Sequence, residues 1–176
     1  VTLAQDAKVA QELAATVAQR LSMAESTVYA QKQAFVYDMY DTSNLTVMFQ
    51  FFHDMLNSST RSSSLFYVSP NGSLNAIIRE AEGEFAAQYW FSNGTLCEVP
   101  INPDTMTFAA PPRACIDHYN ASHQAWFQPF AYGQVTQNES WTSTYSSFNT
   151  YVSFVVTAWS PAGKHVGSFG CDMIIG

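Results

Sequence analysis

The stretch that most limits the fold comes first. Residues 3 to about 34 contain no glycine or proline, and Val9, Leu13, Val17, Leu21, Ala24, Val28 and Phe35 recur at spacings of four, three or seven among Gln, Lys, Arg and Glu. Apolar residues at that period form one stripe of an α-helix. At 1.5 Å per residue the helix would run roughly 45–50 Å, longer than the domain that can follow it. Part of it is therefore expected to project, or to pair with another copy of the chain. Ser22 and Ser26 mark where it could instead break into two shorter helices.

After this stretch the pattern changes. Asp41-Thr42-Ser43-Asn44 is a helix-start signal, and Leu45 to Leu56 reads as a short amphipathic helix with Met48, Phe51, Phe52 and Met55 on one side. Short apolar runs divided by turns then take over: Leu65–Val68, Leu74–Ile78, Glu84–Phe91, Thr95–Ile101, Tyr151–Trp159 and His165–Ile175. Ser69-Pro70-Asn71-Gly72, Ser92-Asn93-Gly94-Thr95 and Ser160-Pro161-Ala162-Gly163-Lys164 supply the turns, and Asn-Gly tolerates the positive φ that tight hairpins require. Pro103–Arg113 reads as a loop and Ala114–Phe130 as mixed helix and loop. Helices followed by hairpin-linked strands predict an α+β domain with one antiparallel sheet. At 176 residues, the chain fits one folded unit made of a helix over 1–36 and a lobe over 37–176.

Composition removes several classes of function. Aromatics make up 15% and charged residues 12%, which describes a packed domain and not a disordered one. The net charge of -7 comes without any Lys/Arg cluster, so nucleic acid and anionic membrane surfaces are poor partners. No apolar run reaches the ~18 residues of a membrane span; any membrane attachment is expected through segments outside this chain. No signal peptide is visible, and an opening Val1 fits a processed or excised polypeptide. There is no Gly-x-Ser-x-Gly elbow, no Cys/His signature for nucleophilic catalysis, no phosphate-binding glycine loop and no zinc-ligand spacing. Glu80, Glu82 and Glu84 alternate but read as a solvated strand edge. Neither enzymatic activity nor a cofactor or metal is expected.

Six of the nine asparagines, Asn44, Asn57, Asn71, Asn93, Asn120 and Asn138, stand in Asn-x-Ser/Thr sequons. This points to an extracellular or lumenal, eukaryotic setting. There Cys97 and Cys115 can close a short loop, while Cys171, in an apolar run, reads as a buried free thiol. Three unpaired core cysteines remain the alternative.

The aromatics converge between Tyr119 and Asp172, where a single carboxylate sits inside an apolar run. A small-molecule pocket needs rings for contact area and a few polar groups for orientation. Four motifs follow in order: a strand ending in a Pro/Asn-Gly turn (Leu65–Gly72), Trp126-Phe127, a Trp-x-x-x-Tyr (Trp141–Tyr145), and a hairpin ending Gly-x-x-Gly-x-Asp (Gly167–Asp172). Together with the long helix, this order over residues 65–175 resembles the extracellular Cache sensor domains, a PAS-related family, and within it the branch that binds amino acids and amines. The resemblance implies a long helix packed on a PAS-like antiparallel sheet of five to six strands. It also implies a ligand pocket and signalling through the helix, with a homodimer formed along it. Tyr119, Trp126, Phe127, Tyr145 and Asp172 fall on the family's binding positions. Gln124 stands where the family has an Arg, Phe127 where it has a Tyr, and Ser147 where it has an Asp. A Gln cannot clamp a carboxylate with two charged bonds. The remaining set is an aromatic box with one acid, suited to an amine or an uncharged polar molecule. The other reading open to these residues is a secreted or cell-surface adhesion or structural glycoprotein domain, whose pocket aromatics are only core. In either case Trp141 and Trp159 read as packing residues.

Overall fold

A computed structural model describes residues 3–59, 62–80, 83–124, 127, 139–145, 150–160 and 162–174. Helix α1 spans Leu3–Val36 and α2 spans Leu45–Ser58. The strands are β1 (Ser62–Val68), β2 (Leu74–Arg79), β3 (Phe85–Trp90), β4 (Leu96–Asn102), β5 (Thr107–Phe108), β6 (Ala114–Ile116), β7 (Glu139–Tyr145), β8 (Thr150–Trp159) and β9 (His165–Ile174). Their spatial order is β5-β4-β3-β2-β1-β9-β8-β7, with β6 also pairing β4. All pairings are antiparallel. The architecture is α+β and PAS-like: one antiparallel sheet with a long N-terminal helix packed on it. The sheet is wider than the sequence indicates. β6 lies in a stretch read as mixed helix and loop, β5 in one read as loop, and β7 in Ser/Thr-rich sequence with no apolar alternation.

Helix α1 is unbroken through Ser22 and Ser26, where the Ser26 hydroxyl donates to the Ser22 carbonyl one turn back. Its two halves have different surroundings. Residues 5–19 are all exposed, including Val9, Leu13 and Val17. Ala24, Val28 and Ala34 are buried against the sheet, with Leu21 and Phe35 packed beside them. Helix α2 begins at Asn44, whose side chain accepts from the Val47 amide. It buries Met48, Phe49, Phe52 and Leu56, while Phe51 and Met55 of the expected stripe are only partly covered.

The period of two along each strand divides the sheet into two faces. The helix-bearing face presents Leu65, Tyr67, Ile77, Ala87, Phe154, Val156, Phe169, Cys171 and Met173 to α1 and α2, forming the larger core. The other face carries a smaller apolar cluster of Phe66, Val68, Leu74, Ala76, Leu96 and Val155, covered by Ala121 and Phe127. Trp159 is 42% exposed and not in the core, because the register shifts between Ala158 and Trp159 and the alternation breaks there. Cys97 and Cys115 face each other across β4 and β6 and are bonded, while Cys171 is free and buried. Burial raises the Cys171 thiol to about 12, so it stays protonated at neutral pH.

Gln31 of α1 is fully buried. Its amide nitrogen donates to the Phe66 carbonyl at 3.2 Å, and its Oε1 has no hydrogen-bond partner among the described residues. An orphaned buried acceptor of this kind costs about 1–3 kcal/mol.

The core assignment predicts a contrast between two truncations. Phe52→Ala, at a fully buried ring, should lower unfolding free energy by about 3–5 kcal/mol. Leu13→Ala, at a residue 64% exposed, should change it by less than about 0.5 kcal/mol in the monomer. Urea denaturation at low protein concentration measures both.

Candidate ligand site

The face opposite the helices holds a cavity of about 410 Å³, within the range of small-molecule sites. The strand registers build it. Ser64 on β1 lies opposite Asp172 on β9, which lies opposite Ser153 on β8, so three polar side chains share one row. The next row holds Phe66, Ala76, Gln88 and Glu98 on β1, β2, β3 and β4. Ile78, Leu74, Ser63, Tyr151 and Tyr119 complete the lining among the described residues. Gly170 continues this second row onto β9, opposite Phe66. A Cβ there would lie 2.0 Å from the Phe66 Cζ. Gly170 therefore admits the Phe66 ring, which forms part of the cavity wall.

Asp172 supplies the acidic group at one end. Ser64 Oγ donates to its Oδ2 at 2.6 Å and Ser153 Oγ to its Oδ1 at 2.5 Å. Ser63 Oγ donates to its backbone carbonyl. Desolvation by the surrounding protein raises the Asp172 carboxyl above the ordinary carboxylate value, opposed by the two serine bonds. Both donors are neutral, so the ionised carboxylate keeps its full negative charge. Tyr119 is close enough to feel that charge. Burial first and Asp172 second push its phenol up to about 12, so it remains a hydrogen-bond donor. Its backbone is fixed by Trp90 Nε1, which donates to the Tyr119 carbonyl at 3.0 Å.

At the other end, Glu98 and Gln88 face each other across β4 and β3. No Lys, Arg or His lines the cavity among the described residues. No group of three or more His, Cys, Asp or Glu comes together to hold a metal among them either.

Of the residues singled out from the sequence, Tyr119 and Asp172 lie in the cavity wall. Phe127 is 2% exposed and packs in the apolar cluster beside it. Gln124 caps the short 3-10 helix Ala121–His123 through its backbone and is not among the described lining residues. Tyr145 is placed by its backbone at the end of β7, opposite Thr150. Trp126, Ser147 and Asn138 lie outside the described residues. Asn120 accepts from the Ser122 amide and hydroxyl, and a Cβ on Gly72 would meet its Oδ1 at 1.9 Å. This half-buried asparagine holds the segment before Phe127 against the β1–β2 turn, where the Ala121 amide bonds the Gly72 carbonyl. Asn44, Asn57, Asn71 and Asn93 are exposed.

The raised Asp172 carboxyl gives a signed pH dependence. Between its ordinary value of 3.8 and the higher folded value, the folded chain binds more protons than the unfolded one. The Asp172 contribution to stability is therefore full below the ordinary value and lost as pH rises through the folded value. Melting temperatures across pH 3.5–8 should show this loss in the parent and not in Asp172→Asn.

No family model and no curated protein sequence matches the chain. Among solved structures it is similar to that of a protein named Methyl-accepting Chemotaxis protein X, at 13% identity and a TM-score of 0.54, over 97% of this chain and 61% of that one. It is also similar to a domain of a putative sensory box/GGDEF family protein from Vibrio parahaemolyticus, at 12% identity and a TM-score of 0.39, over 97% of this chain and 55% of that one. The chain thus spans less than two thirds of either solved chain. The likeness to the first is one of fold: a long helix on an antiparallel, PAS-like sheet.

Proposed function

We propose that the chain is the ligand-sensing domain of a signalling receptor, of the Cache type and displayed outside the cell. It binds a small amine, amino acid or other small polar molecule and acts by binding, not by catalysis. One observation carries this reading: the cavity and α1 sit on opposite faces of the same strands. Asp172 reaches the cavity from β9, while its neighbours Cys171 and Met173 join the core beneath α1. Phe66 lines the cavity from β1, while its carbonyl is held by Gln31 of α1. A ligand that binds two arrangements of these strands unequally shifts the helix by that difference in affinity.

The direction of the helix supports the same reading. Tyr29 packs near Phe154 and Phe35 near Phe169, so α1 runs antiparallel to β9. Its exposed half extends past the end of the sheet where β9 finishes. On this reading Val9, Leu13 and Val17 form the seam of a homodimer, and the helix carries the signal toward segments outside this chain. A cross-strand disulfide and four exposed sequon asparagines suit an oxidising, glycosylating compartment. A fold shared with a methyl-accepting chemotaxis protein agrees with a receptor role.

The test is a thermal-shift screen with amines, amino acids, small carboxylates, sugars and nucleobases at about 1 mM. A ligand at 100 times its Kd should stabilise the domain by about 2.7 kcal/mol. Asp172→Ala should abolish the shift. A screen in which no compound shifts the melting temperature, repeated with the same result by calorimetry, overturns the reading.

A further inference from the structure

The cavity carries two acids, and they are far apart. Glu98 on β4 and Asp172 on β9 are separated by four strand steps across β3, β2 and β1. At ~4.8 Å per strand the two backbones stand ~19 Å apart. Both side chains nevertheless line the same cavity, which makes it a trough running across the sheet and not a pit at Asp172. The floor between the acids is apolar, built from Phe66, Ala76 and Ile78.

The two acids differ in how they are held. Asp172 accepts two serine hydroxyls. Glu98 has no hydrogen bond or ion pair from its side chain among the described residues. Arg113 has its guanidinium bonded to Glu80 at 2.6 Å; its backbone amide donates to the Glu98 carbonyl, and its charge also feels the Glu98 carboxylate, without an ion-pair contact between them. Gln88, beside Glu98, adds an amide oxygen as a further acceptor. An acid at each end, methylene-compatible walls between them and no cation among the described lining residues form a negative image of one ligand class. It is a linear molecule with a protonated nitrogen at each end and methylene segments between, any internal ammonium facing the open side of the trough.

Resting on the sensor reading above, we propose that the ligand is a linear polyamine, with one ammonium at Asp172 and Tyr119 and the other at Glu98 and Gln88. A monoamine engages only the Asp172 end. A short diamine does not span the trough, whereas a triamine or tetraamine does. A free amino acid brings a carboxylate that finds no described cation in the cavity.

Titration calorimetry with butylamine, putrescine, spermidine and spermine tests this at physiological ionic strength, where exposed charges more than about 8 Å apart are largely screened. Affinity should rise steeply from butylamine to spermidine and spermine. Glu98→Gln should weaken spermidine binding about tenfold while leaving butylamine binding unchanged. Asp172→Asn should weaken both. Asp54→Asn, an exposed acid on α2, should change neither, which separates the trough from the overall charge of -7. The melting temperature of ligand-free Glu98→Gln should match the parent, showing that the variant folds. Equal affinity for butylamine and spermine, or an inert Glu98→Gln, overturns the polyamine assignment and leaves an amine sensor. Binding of another compound class with no amine binding overturns the assignment and leaves the sensor reading standing. Absence of any ligand overturns both.

Discussion

The pairing of β1 with β9 is the contact on which the rest depends. It joins the first strand of the sheet to the last, bringing Ser64 and Asp172 into hydrogen-bond contact across 108 positions of sequence. Closing so long a loop costs conformational entropy before any contact returns it, so the pair must be secured on both faces. On one face Leu65, Tyr67, Phe169, Cys171 and Met173 lock into the core beneath the helices. On the other, the Phe66 ring occupies the space left by the missing side chain of Gly170. A slip of one residue would exchange the two faces. It would place Asp172 in the apolar core and drive Phe66 against a neighbour with no room for it. The register of this one pair thus sets the hydrophobic core and the cavity together.

Asp172 stands in an environment that is poor for an unbound carboxylate. Desolvation raises its proton affinity, and the two serine hydroxyls offset this only in part. The structure tolerates the group because the serines give it hydrogen bonds without neutralising it. A cation entering the cavity supplies what the serines lack. It would meet a carboxylate already oriented by Ser64 and Ser153, so little side-chain entropy is lost on binding. Six apolar or aromatic residues, Phe66, Leu74, Ala76, Ile78, Tyr119 and Tyr151, line the same cavity among the described residues. They lower the local dielectric and strengthen the attraction.

The helices and hairpins were legible because each depends on local pattern. α1 follows from a 3.6-residue period without breakers, and the β1–β2, β3–β4 and β8–β9 turns follow from Asn-Gly and Pro-x-Gly. Asp172 stood out as a carboxylate within an apolar run. Most of the cavity wall was not legible. Ser64, Ser153, Gln88 and Glu98 look like ordinary strand residues, and only the registers of β1–β9, β8–β9 and β3–β4 show that they face one space. Phe127 illustrates the reverse. As an aromatic beside Trp126 it reads as a pocket residue, yet its ring packs among Phe66, Val68 and Leu74. β7 escaped notice because an outer strand of Ser and Thr has no alternating apolar signature. Trp159 was misplaced because a register shift at Ala158 cannot be seen in composition.

A ligand in the cavity does not reach α1 directly, since the sheet lies between them. Any influence on the helix must pass through the sheet, most directly through β8 and β9, on which α1 packs and which carry Ser153 and Asp172 on the cavity face and Phe154 and Cys171 on the helix face. Gln31 adds a hydrogen bond from α1 to β1. Its amide grips the Phe66 carbonyl while its own oxygen goes without a partner among the described residues, so the present seating of α1 carries an unmet acceptor in an apolar setting. A small displacement of β1 that moved this side chain to where its oxygen could be satisfied would recover part of the ~1–3 kcal/mol that such a group costs. Reversing a two-state population from 1:99 to 99:1 takes about 5.5 kcal/mol of differential binding. One orphaned acceptor does not provide that. It can narrow the gap between two seatings of the helix, leaving the remainder to the difference in ligand affinity between them.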